Sequence, residues 1–138
     1  MATTIKGVVG GGLTISASPA TVSVPTGYLV ENESDYDYIT ETITIPNGIK
    51  VIEVHASASA DYTDYPIVLS IRSDNKHWHS DDGDYYGISY NGYIGVTPNK
   101  QYTVNVSVSG RDVNGHIDSF YIRYSPEINN KTPTIKDY

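Results

Sequence analysis

The chain has 138 residues, 9 Lys+Arg against 16 Asp+Glu for a formal charge of -7, and 0 Cys. That length suits one hydrophobic core and is too short for two ordinary domains with a linker. The lack of cysteine removes disulfides, thiol nucleophiles and cysteine-bound metals. Its few basic residues are scattered along an acidic chain, which argues against a nucleic-acid partner, and no apolar run is long enough to span a bilayer.

Residues 1–19 set Gly7, Gly10, Gly11 and Gly12 among short apolar pieces and read as a flexible arm. The same glycines break up any secretory leader, so the expectation is a protein made in a cytoplasm without a signal peptide. Ala20 to Val24 alternates as an edge strand that ends in a Pro25-Thr26-Gly27 turn, and residues 31–37 read as an acidic loop or the approach to a strand. Tyr38 to Ile45 and Ile49 to Ser57 are strands separated by Pro46-Asn47-Gly48, a strong hairpin signal. After a Tyr/Asp loop at 60–65, Pro66 to Arg72 is another strand. Residues 73–83 are polar, and Asp81-Asp82-Gly83-Asp84 reads as a turn.

Tyr85 to Val96 suggests two short strands around Asn91-Gly92. The clearest element is residues 101–109, where Val104, Val106 and Val108 share one face and Thr103, Asn105, Ser107 and Ser109 share the other. A Gly110–Gly115 turn and a closing strand over Ile117 to Tyr124 follow, then an extended tail over 125–138 with Pro126 and Pro133. No helical periodicity stands out. The pattern predicts an all-β chain, a single antiparallel β-sandwich over 20–124, immunoglobulin-like or jelly-roll-like, between the arm and the tail. Tyrosine supplies 13 residues against 1 Trp and 1 Phe, a bias toward wet sheet faces or a contact surface.

Three sets of side chains suggest chemistry. Asp35-Tyr36-Asp37-Tyr38 and Asp61-Tyr62-Thr63-Asp64-Tyr65, with Trp78, Tyr85 and Tyr86, have the composition of a sugar-binding rim, rings to stack and carboxylates to accept hydroxyls. Tyr62, Tyr65, Trp78, Tyr85 and Tyr86 are the candidate glycan contacts. His77, His79 and Asp81 would share one side of an extended segment and, with Asp82 and Asp84, offer ligands to a metal. The run is similar to the H-x-H-x-D-H of metallo-β-lactamase-like hydrolases, but Asp82 replaces the last His and no helices follow, so the reading is non-enzymatic. Asp74, Asp81, Asp82 and Asp84 supply hard oxygens for a structural Ca²⁺, without the spacing of an EF-hand. The plain alternative for all these Asp residues is turn chemistry in a solvated loop, with no cofactor.

Val96, Pro98 and Tyr102, spaced apolar-x-Pro-x-x-x-Tyr ahead of an alternating strand, resemble the tyrosine corner of fibronectin type III and related sandwiches. More broadly, the chain resembles small virion proteins of tailed bacteriophages and prophages. The likeness is carried by the Gly-rich lead, the Cys-free, Tyr-rich sandwich with Thr42-Ile43-Thr44-Ile45-Pro46-Asn47-Gly48 and Tyr93-Ile94-Gly95-Val96-Thr97-Pro98, and the Pro-spaced tail. That resemblance implies a capsid decoration or a head or tail fibre module located in the virion. It implies contacts with other virion proteins or with a host surface glycan, present in many copies or as a homo-oligomer, and no nucleic-acid or membrane partner. A carbohydrate-binding or adhesin module is the alternative.

Overall fold

Alternation of branched aliphatic and polar residues sets the strands, and the buried half of each alternation closes the core. A computed structural model describes residues 24–32, 36–60, 65–110 and 114–137, without the side chains of 80–84. The strands are β1 (Gly27–Asn32), β2 (Tyr38–Thr44), β3 (Val51–Ala60), β4 (Ile67–Ser73), β5 (Lys76–Asp84), β6 (Gly87–Gly95), β7 (Gln101–Gly110) and β8 (Gly115–Tyr124). A short helix, α1 (Pro126–Asn129), and a two-residue strand, β9 (Ile135–Lys136), follow.

Two sheets form, in the orders β9-β6-β3-β8-β1 and β2-β7-β4-β5. The first strand thus pairs with the eighth, the second with the seventh, the third with the sixth and the fourth with the fifth. This nested pairing is that of an eight-stranded jelly roll, so the strand order selects one of the two expected sandwiches. Between the sheets lie Ile39, Ile43, Val54, Leu69, Ile71, Val104, Val106, Phe120 and Ile122, all buried in one cluster. Each such aliphatic side chain contributes about 1.5–3 kcal/mol by leaving water.

Several local expectations change in context. The arm at 1–19 and residues 20–23 lie outside the described residues, while Gly27, expected to close a turn, opens β1. The Pro46-Asn47-Gly48 turn is present, with Gly48 at φ 83 and Ile49 N–H donating to the Pro46 carbonyl at 3.2 Å. It does not make a hairpin, because Ile45 and Ile49 on either side are both fully buried and β2 and β3 belong to different sheets. Residues 76–84, expected in a polar loop and turn, form β5 instead. The turn lies earlier, at Asp74-Asn75, where Asp74 takes φ 53. β6 runs unbroken through Asn91-Gly92: a Cβ on Gly92 would stand 2.0 Å from the Tyr90 hydroxyl, so the glycine makes room for that side chain.

The tail is folded onto the sandwich rather than extended. Ser125 caps α1 by accepting from Ile128 N–H at 3.0 Å, and Pro126 occupies the first turn, where a missing N–H costs nothing. Asn129 accepts from Lys50 N–H at 2.7 Å and donates to the Gly48 carbonyl at 3.1 Å. β9 then adds parallel to the edge of β6.

Candidate attachment surface and its anchoring end

The register gives the sandwich two unlike ends. The connections spanning 33–37, 61–66, 85–86 and 111–114 leave from one end, where Ala60 pairs with Gly115, Ser59 with Gly87, and Ile67 with both Asp84 and Gly110. The connections at 45–50, 74–75, 96–100 and 125–134 leave from the other, where Gly27 pairs with Tyr124 and Val51 with Gly95. We refer to these as the loop end and the clamped end.

At the clamped end the tail ties the two sheets together. Buried Asp137 accepts the indole N–H of Trp78 at 2.9 Å and pairs with Lys76 Nζ at 3.1 Å. Its own N–H donates to the Gly95 carbonyl at 2.8 Å, and its carbonyl accepts from the Tyr102 hydroxyl at 2.8 Å. Thr97 N–H donates to the same hydroxyl at 3.1 Å, so Tyr102 braces the upstream turn and also holds the tail. Trp78 and Tyr102 pack with ring centroids 5.7 Å apart.

Trp78 is therefore not a sugar platform. Register shifts in β5 between the partners of Leu69, Ile71 and Arg72 leave Trp78 without a cross-strand partner, and it turns fully inward. Those bulges also break the alternation on which a shared His/Asp side depended. His77 lies exposed near the clamped end, whereas Asp84 ends β5 at the loop end, about 20 Å away at roughly 3.3 Å per residue. His79 stacks on Tyr90 at 4.3 Å. Among the described residues no group of three metal-ligating side chains forms; the side chains of Asp81, Asp82 and Asp84 lie outside them.

The loop end gathers what the sequence scattered. Among the described residues the exposed large aromatic side chains are Tyr28, Tyr36 (74 %), Tyr38 (55 %), Tyr85 (49 %) and Tyr86 (73 %), and all but Tyr28 stand at this end. Tyr65 is there too, half-buried; Tyr62 lies outside the described residues. Backbone bonds hold the positions, with Val108 N–H donating to the Asp37 carbonyl at 2.9 Å, Ile117 N–H to the Tyr36 carbonyl at 2.8 Å and Ala60 N–H to the Tyr86 carbonyl at 3.1 Å. Tyr36 and Asp37 face Ser109, Gly110 and Asn114 across an open hollow of about 420 Å³.

The basic residues divide the same way. Lys50, Lys100, Lys131 and Lys136 lie on the clamped-end connections and tail, and Arg72, Lys76 and Arg123 sit on strands beside that end. These are all the Lys and Arg among the described residues. The connections of the loop end carry Glu33, Asp35, Asp37, Asp61, Asp64 and Asp112 in sequence against one basic residue, Arg111.

A polar cluster on the outer face of the five-stranded sheet escaped sequence reasoning. Glu53, 3 % exposed, accepts from Arg123 Nε and from Asn91 Nδ2, the latter at 3.0 Å. Burial works to raise its carboxyl, but the guanidinium and the amide outweigh that, and the group sits below its ordinary value. Burial lowers His55, which stacks on Tyr121 at 4.6 Å and bonds Ser119 at 3.2 Å; Glu53 pulls the other way. With its charges paired and Tyr121 engaged by His55 and Arg123, the cluster braces the sheet. Only the period-two position of Glu53 between Val51 and His55 could have marked it as outward-facing.

The class defined by this architecture is the jelly-roll β-sandwich. No family model and no curated protein matches the sequence. Among solved structures, dimeric latent PorU from Porphyromonas gingivalis is similar at a TM-score of 0.45 and 10 % identity. The likeness covers 70 % of this chain and 10 % of that one, so the chain corresponds to a small part of that protein's length.

Proposed function

We propose that this chain is a non-enzymatic virion structural protein of a bacteriophage or prophage, a jelly-roll module that is held at its clamped end and makes surface contacts with its loop end. One observation carries the reading. β1 enters and the tail leaves at the clamped end, beside Lys50, Lys131 and Lys136, while the exposed tyrosines stand at the opposite end. A partner that grips residues 1–19 or the basic end leaves the tyrosine end pointing outward. Many copies on one particle multiply contacts that are individually weak. Fold alone does not assign this role, since jelly rolls serve capsids and lectins alike.

The direct test is mass spectrometry and cryo-EM of particles from the source organism or its induced prophage. The expected result is a stoichiometric component in repeated density, clamped end inward, and lost from particles when residues 1–19 are deleted. Absence from particles refutes the virion reading. A free carbohydrate-binding or adhesin module is the second reading, favoured by the clustering of exposed tyrosines at one end.

A further inference from the structure

We infer that the loop end binds an uncharged glycan, a neutral hexose polymer or oligosaccharide, in and around the hollow between Tyr36-Asp37 and Ser109-Asn114. The inference rests on the reading of this chain as an attachment module and supplies its ligand class. A pyranose offers a flat patch of C–H bonds and a rim of hydroxyls that both donate and accept. The exposed rings of Tyr36 and Tyr86 suit the first, while the Asp37 carboxylate, the Asn114 amide and the Ser109 hydroxyl suit the second. The hollow, about 420 Å³, falls within the usual range for small-ligand sites.

Charge decides between sugar classes. Sialylated, uronic, sulfated and phosphorylated glycans are held most strongly where a Lys or Arg pairs with them, and among the described residues every Lys and Arg lies toward the opposite end. Asp37 is the one charged side chain among the described residues that line the hollow, so an anionic polymer approaching it is repelled whereas a neutral one is not. Tyr28, exposed but away from this end, provides an internal control.

The experiment is native affinity electrophoresis of the full chain through gels containing mannan, galactan or dextran, in parallel with polygalacturonate and hyaluronate. At least one neutral polymer should retard the chain and neither acidic polymer should. Tyr36→Ala and Tyr86→Ala should each lower the apparent association about tenfold, the order expected for one aromatic contact, while Tyr28→Ala leaves it unchanged. Melting curves of the three variants confirm folding. Retardation by acidic polymers alone, equal loss in Tyr28→Ala, or no loss in the loop-end variants overturns the inference. If no polymer retards a chain that is nevertheless stoichiometric in particles, the inference fails and the virion reading stands. Neutral-polymer binding by a chain absent from particles has the reverse meaning.

Discussion

Replacing Asp137 by Ala tests whether the tail is an integral part of the sandwich. The substitution leaves the indole N–H of fully buried Trp78 without its acceptor and Lys76 without its carboxylate. An orphaned buried donor costs about 1–3 kcal/mol. The ion pair adds at most about 1 kcal/mol because Lys76 is half-exposed. The backbone bonds of Asp137 to Gly95 and Tyr102 survive the change, so the expected loss is about 2–3 kcal/mol, a fall in melting temperature on the order of 10 °C. Asp137→Asn keeps an acceptor for the indole and should lose about 1 kcal/mol or less. Urea unfolding at neutral pH, followed by the fluorescence of the single tryptophan and by far-UV circular dichroism, measures both variants. An Ala variant within about 0.5 kcal/mol of the parent, or an Asn variant as costly as Ala, would refute the assignment of Asp137 as the clamp.

Acid should destabilise the fold in two stages. His55 is held below its ordinary 6.5, so its share of the stability is present above that pH and is lost as pH falls and the unfolded chain takes up the proton. Glu53, held below 4.5, contributes above that pH and loses its contribution as pH drops through the lower folded value; urea midpoints across pH 7 to 3 should show both stages, and Glu53→Gln should flatten the second. Arg123→Met leaves a buried carboxylate with only Asn91 and should cost about 2–3 kcal/mol, most of it recovered in the Glu53→Gln/Arg123→Met double variant, as a double-mutant cycle would reveal. Gly115→Ala would bring a Cβ to 2.4 Å from Val108 Cγ1 and should destabilise by about 1–3 kcal/mol in thermal melts, because that methyl is packed in the core and has little room to yield.

Alternation is a local property, legible wherever one face of a strand is dry and the other wet. Val104, Val106 and Val108, Ile67, Leu69 and Ile71, and Phe120 with Ile122 announce both the strand and the buried face, since the pleat places residues two apart on one side. The all-β class, the turn chemistry at Gly48 and the brace at Tyr102 follow from similarly short-range rules. Partner choice does not. Whether Asn47-Gly48 joins paired strands or hands the chain from one sheet to the other depends on where Ile45 and Ile49 find a core, and that core is built from strands far away in sequence. Trp78, flanked by histidines and carboxylates, reads as polar until bulges turn it under the tail. Tyr36, Tyr38, Tyr65, Tyr85 and Tyr86, separated by up to tens of residues, come to one end only because nested pairing sends the strand ends beside them there. Composition and periodicity determined that this chain is a tyrosine-rich sandwich; the pairing of distant strands decided which tyrosines face water together and which aromatic ring locks the tail, because sheet partners are selected by long-range burial that no local window contains.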